Sequence, residues 1–145
     1  MTAETSAIDV KRAASYARAV MHAPYEAGAV GPNAFDCWGL ARDCQLRLFG
    51  RALPIVGHED VQEVLKIVSQ PEVRAIWPEI AAPVHGALVV LKNTQRRHIG
   101  TWLMLDGGGL LHTVEKAGVR FDSLLMLHNQ GWAGIRFHDY AGIGA

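Results

Sequence analysis

From Gly86 onward the chain is a series of short apolar runs cut by tight turns, and that pattern leaves few folds open. "GALVVL" (Gly86 to Leu91), "HIGTWLML" (His98 to Leu105) and "GLLHTVE" (Gly109 to Glu115) are each short enough to be strands and are bounded by turn residues. Asp106-Gly107-Gly108 joins the second run to the third, and Lys116-Ala117-Gly118 leads on to Val119 to Phe121. Turns this short make neighbouring strands antiparallel. "WAGIRFHDY" (Trp132 to Tyr140) supplies a last strand that can close the sheet.

The first half has a different period. Ile8, Ala13, Tyr16, Ala17 and Val20 mark an amphipathic helix from Ile8 to about Met21, with Arg12 and Arg18 outward and Pro24 as its end. "APYEAGAVGPNAF" reads as a loop. Asp36 is then the N-cap of a second helix, on which Leu40, Ala41, Cys44 and Leu48 share one face until Gly50 stops it. A shorter helix is expected from Glu59 to Val68, and a turn of helix near Glu72 to Trp77 between Pro71 and Pro78. With 145 residues, half of them hydrophobic, and no repeat or linker, residues 1–145 read as one α+β domain: N-terminal helices packed on a central antiparallel β-sheet.

Fourteen basic residues balance fourteen acidic ones, so there is no basic stripe to neutralise phosphates, which argues against nucleic acid as a partner. No stretch approaches the roughly 18 apolar residues of a membrane span, and the first twenty residues lack the apolar core of a signal peptide. The expectation is a protein made soluble in the cytoplasm, with no membrane insertion.

Both cysteines lie in "FDCWGLARDC", Phe35 to Cys44. On a helix, seven residues separate their Cα atoms by about 10 Å, beyond the ~7 Å limit of a disulfide. A helix N-terminus favours thiolate over thiol, so Cys37 has a nucleophile's position, whereas Cys44 sits two turns deeper on an apolar face and reads as core. A thiolate nucleophile also needs an imidazole as ion-pair partner and as proton donor to a leaving amine. His98 opens a strand after the polar loop Lys92 to Arg97 and shares a face with Gly100 and Trp102, the glycine leaving room beside the ring. His112 lies in the partner strand, in an apolar run where a buried imidazole needs a hydrogen-bond partner, and His98 is one that it can orient. His22, His58, His85, His128 and His138 have no such context and read as surface or loop residues.

These segments resemble a known family. "FDCWGL" resembles the Asp-Cys-Ser-Gly-Leu motif of the NlpC family of papain-like cysteine peptidases, which cut the peptide stems of bacterial cell walls. "RHIGTWL" is similar to that family's His-Val-Gly-Ile-Tyr-Leu strand, and "GGGLLHTVEKAGVR" resembles its glycine turn, third catalytic residue and following turn. The resemblance runs from about Pro24 to Phe137 and implies a papain-like fold. It implies Cys37 as nucleophile, His98 as general base and acid, and His112 as the group that orients His98. Tyr25, in "APYEAG", is similar to the tyrosine of the family's Pro-Tyr motif, which helps bind the oxyanion or position the thiolate; the Cys37 N–H is a second donor. Trp38 replaces the usual serine and is expected to wall the substrate groove, and Ala87 replaces an aspartate. No cofactor is implied.

"DCWGL" followed by "LFGRALPIV", together with "GALVVL", resembles the branch encoded in bacteriophage tail-gene clusters. That implies a virion-associated enzyme carried at the tail tip or baseplate, with hub proteins as partners and peptidoglycan stem peptides as substrate, cut at the D-glutamyl to diamino acid bond. Two other readings stay open. One Cys and two His can hold zinc with an open position, although no close ligand pair such as Cys-x-x-Cys is present. The chain can also be a structural tail-tip component with "SLLMLHNQGW" (Ser123 to Trp132) and "AGIGA" as docking surface, against their plainer reading as core helix and terminus.

Overall fold

A computed structural model describes residues 7–53 and 70–141. Helix α1 (Ala7–Val20) follows the expected span and buries Ala13, Ala17 and Val20 at helical spacing. Helix α2 (Cys37–Phe49) starts and stops where the sequence places its signals. The Asp36 carboxylate caps it by accepting from the Gly39 N–H, and Gly50 ends it at φ 66°, a left-handed conformation that favours glycine. Helix α3 (Pro71–Ile76) is the short turn expected there. The helix expected from Glu59 to Val68 lies outside the described residues, as do the last four residues of "AGIGA".

The strands are β1 (Glu79–Ile80), β2 (Leu88–Lys92), β3 (Arg97–Leu103), β4 (Gly109–Val114), β5 (Gly118–Asp122) and β6 (Gly134–His138). They form one sheet in the order β1-β6-β2-β3-β4-β5 with every pair antiparallel. The final strand therefore inserts between β1 and β2 instead of adding at the free edge. Strand β1 is absent from the sequence reading because two residues are too few to leave a period; only pairing with β6 defines it. "SLLMLHNQGW" contains a six-residue helix, α4 (Leu124–Asn129), capped by the Ser123 hydroxyl. Leu127 is buried there, while Leu125 and Met126 are exposed. Among the described residues no helix is long and apolar enough to cross a membrane.

Strand alternation divides the core into two layers. Ile99 and Leu103 face the helical side, where Leu103 packs with α1 and α2 around Phe35 and Leu40, and Ile99 with Cys37, Trp38 and Ala41. Trp102 and Leu110 face the other side, under Leu127 of α4 and Trp132. Each fully buried leucine or phenylalanine side chain contributes about 1.5–3 kcal/mol of burial energy.

One irregularity prepares the site. Strand β3 pairs with β2 from Arg97 to Thr101, but its ladder with β4 covers only Thr101 to Leu103, opposite Leu111 to Gly109. The first residues of β3 and the last of β4 therefore part from each other, beside the N-terminus of α2.

That N-terminus is held by close packing of Gly39. A Cβ at this position would collide with the Ala29 carbonyl and stand 3.1 Å from the Asp36 carboxylate. Gly39→Ala is therefore expected to lower stability by about 1–3 kcal/mol, as overpacked sites do. Urea unfolding checks this, and a variant as stable as the parent would show that the loop moves aside freely.

Candidate active site

Cys37 is the first residue of α2, and its place is set by the residue before it. Asp36 accepts from the Gly39 N–H at 2.6 Å and the Gly28 N–H at 2.9 Å, while its own N–H donates to the Ala29 carbonyl at 2.9 Å. One carboxylate thus ties the Pro24–Phe35 loop to the helix start. The Cys37 thiol is 3 % exposed and is approached by the backbone N–H groups of Ile99 and Trp38.

Where β3 and β4 part, a slot of about 40 Å³ opens, lined by Cys37, His98, Tyr25 and Trp132, with Arg96 and Glu115 at its rims. Cysteine and histidine come from different elements, Cys37 from the helical side of the sheet and His98 from β3, and both line this slot. His98 is buried, and its ring stacks on Trp132 with centroids 5.0 Å apart and planes 15° from parallel. Gly100 does not leave room for the imidazole as the sequence suggested: the space of its missing side chain is taken by Leu110 and the Leu111 carbonyl, each 2.8 Å from where a Cβ would stand.

Behind His98 runs a chain of hydrogen bonds. His98 Nε2 is 2.8 Å from His112 Nδ1, and His112 Nε2 is 2.7 Å from Asp122 Oδ2. Arg120 donates to both Asp122 oxygens, from Nε at 2.9 Å and from Nη2 at 3.0 Å. Burial alone would raise the Asp122 carboxyl, but hydrogen bonds from His112, Arg120 and Gln130 hold it well below the usual carboxylate range. An ionised Asp122 fixes the hydrogen of His112 on Nε2. For His98 to take a proton at Nδ1, the bare His112 Nδ1 must accept from His98 Nε2–H.

The electrostatics differ from the expected ion pair. Burial, and then the neighbouring Asp36 carboxylate, push the Cys37 thiol up to about 12, against the lowering effect of the two backbone N–H groups and Arg96. Burial, then His112 and Arg96, hold His98 well below 6.5. Burial thus opposes the charged form of both groups, against the helix-end field at Cys37. Tyr25 forms a backbone bridge to Phe35 and lines the slot; burial, then Cys37, push its hydroxyl up to about 12, so it remains a donor through neutral pH.

Cys44 is fully buried in the core, with Thr101 beside its thiol, and both thiols are free. Trp38 is not among the residues lining the slot. It lines a larger apolar cavity of about 370 Å³ with Trp77, Ile76, Leu53 and Tyr140. Of the remaining histidines, His22 and His128 are exposed, His85 packs edge-on to Phe49, and His138 sits in β6 with Nδ1 3.1 Å from the Trp77 carbonyl; His58 lies outside the described residues. Among the described residues no three Cys, His, Asp or Glu side chains converge as a metal site would need. His98, His112 and Asp122 are strung end to end instead.

Sequence reasoning missed Asp122, Arg120, Trp132 and Gln130. The alternation in "RFD" places Arg120 and Asp122 on one strand face, a readable signal. Their closeness to His112 depends on register, with His112 opposite Arg120 and Leu110 opposite Asp122.

A cysteine at a helix start, facing a histidine carried by an antiparallel sheet, defines a papain-like α+β fold. Residues 22–138 match the NlpC/P60 family, and the chain belongs to it. Two solved structures are similar. The NlpC/p60 domain of the peptidoglycan hydrolase SagA is 20 % identical, with a TM-score of 0.57 over 88 % of this chain and 96 % of that one. A lipoprotein-like NLP/P60 family protein from Staphylococcus aureus is also 20 % identical, with a TM-score of 0.57; the match covers 92 % of this chain but 42 % of that longer one. No curated protein matches the chain.

Two measurements test the site's physics. The carboxyl of Asp122 is lower in the folded than in the unfolded state, so its contribution is present above the ordinary carboxylate range and disappears as pH falls below about 4. Asp122→Asn should cost about 1–3 kcal/mol at pH 7 and progressively less toward pH 3, read by urea unfolding. Equal losses at both pH values would remove the ionised carboxylate from the account. For Cys37, iodoacetamide modification should accelerate steadily from pH 6 to 9, as a neutral thiol requires. A rate flat across that range would mean a preformed thiolate-imidazolium pair.

Proposed function

We propose that the protein is a cysteine peptidase that hydrolyses amide bonds in the stem peptides of peptidoglycan. The observation that carries this reading is one slot lined by Cys37 and His98, with the far nitrogen of His98 tethered through His112 and Asp122 to Arg120. Membership of the NlpC/P60 family supports it, and the similar SagA domain comes from a peptidoglycan hydrolase.

In this mechanism Cys37 Sγ attacks the scissile carbonyl as its proton passes to His98 Nδ1. Because burial disfavours the charged form of each group, proton transfer and attack are one coupled event. The developing oxyanion is received by the Cys37 N–H at the start of α2 and by the Tyr25 hydroxyl. Imidazolium His98 then protonates the leaving amine, the C–N bond breaks, and a thioester remains. Water, deprotonated by His98, attacks the thioester and restores the thiol. His112 and Asp122 keep the ring from turning and stabilise its charged form.

The proposed bond joins D-glutamate to the diamino acid of the stem, and the proposed setting is a bacteriophage tail tip or baseplate, docked on hub proteins. Both rest on the resemblance of "FDCWGL" and "GALVVL" to that branch of the family. A structural tail part without chemistry is the competing reading.

Digestion of purified peptidoglycan separates them. The protein is expected to release muropeptides whose masses name the bond, Cys37→Ala to release none, and Cys44→Ala to retain most of the activity. Equal loss in both variants would refute the nucleophile, and no release by the unaltered protein would leave the structural reading standing.

A further inference from the structure

An ion pair borders the slot. Arg96, the residue before β3, reaches Glu115, the residue after β4, with Nη2 2.8 Å from Oε1. Both line the same cavity as Cys37, His98 and Tyr25. They flank the two strands whose ladder ends at Thr101 and Leu111, so the pair links the chain just beyond the unpaired strand ends.

The slot's volume of about 40 Å³ is far below the roughly 300 Å³ or more of a small-molecule site, so parting of this bordering pair would widen the approach to Cys37. Opening is easy, because the two side chains are 48 % and 57 % exposed and such pairs hold weakly. Once open, Arg96 presents a planar fork of N–H donors suited to a carboxylate. Its charge already acts on Cys37 and His98, lowering both. The slot also holds a second polar group awaiting a partner. Thr113 lines it, is fully buried, and its hydroxyl has no hydrogen-bond partner among the described residues. A buried hydroxyl left unpaired is costly, which favours a polar group of an entering ligand.

We propose that Arg96 is a carboxylate-binding subsite beside the reacting thiol, and that Glu115 is an internal placeholder displaced by an anionic group of the substrate. With the peptidase reading, on which its natural ligand rests, the subsite selects stem peptides bearing a free carboxylate next to the scissile amide.

Two alkylating reagents of nearly equal size test this without any turnover. Iodoacetate carries a carboxylate and iodoacetamide does not. Their rates at Cys37 are followed at pH 8.5 in the full chain by mass spectrometry of the Cys37 peptide. The ratio of the two rates cancels changes in thiol ionisation and in opening of the slot. Glu115→Gln should raise the iodoacetate to iodoacetamide ratio about fivefold, and Arg96→Gln should lower it by about the same factor, with Arg96→Lys between Arg96→Gln and the parent. A ratio unchanged in Arg96→Gln overturns the subsite, and one unchanged in Glu115→Gln overturns the placeholder. Because labelling requires no catalysis, the result stands whether or not peptidoglycan is cleaved. Where cleavage occurs, Arg96→Gln should raise KM for stem peptides with the free carboxylate while leaving KM for their amidated counterparts unchanged. Equal effects on both would overturn the selectivity.

Discussion

The Asp36 carboxylate is the interaction on which the site depends. It caps α2, holds the Gly28 N–H, and so fixes the preceding loop against the helix that carries Cys37. Without that clamp the first turn of α2 would have unpaired N–H groups, and Tyr25 and Cys37 would have no common reference. The same carboxylate has a chemical cost, since its charge beside Cys37 opposes formation of the thiolate. Position and activation therefore pull in opposite directions, and at rest position prevails.

The sheet makes the second contribution by being incomplete. If β3 and β4 were paired along their whole length, the ladder would close the gap in which His98 approaches the helix layer. The ladder ends at Thr101 and Leu111, and beside that end a side chain from each layer, Cys37 and His98, lines one cavity. The strand neighbours then hold the histidine from behind. Trp132 covers its face, His112 takes its far nitrogen, and Asp122 with Arg120 anchors His112. Most of this chain is buried, so its polar groups are costly unless mutually satisfied, and that mutual dependence keeps the ring in one orientation.

Desolvation links the slot to its chemistry. Burial raises Cys37 and lowers His98, so it disfavours the charged form of each.

The sequence by itself determined the elements. Asp36 and Gly50 bounded α2, glycine turns separated the strands, and the helix start distinguished Cys37 from Cys44 through local backbone chemistry that needs no tertiary contact. It also brought out His98 and His112 as a pair, because one short turn joins their strands. Tertiary structure alone decided strand order, with β6 placed between β1 and β2, and the register that sets Asp122 and Arg120 beside His112. It decided that Trp38 lines the larger apolar cavity and that the thiol is raised instead of lowered, since burial is a property of everything packed around a group. Caps and turns are written in adjacent residues; registers, gaps and desolvation arise between residues far apart in the chain.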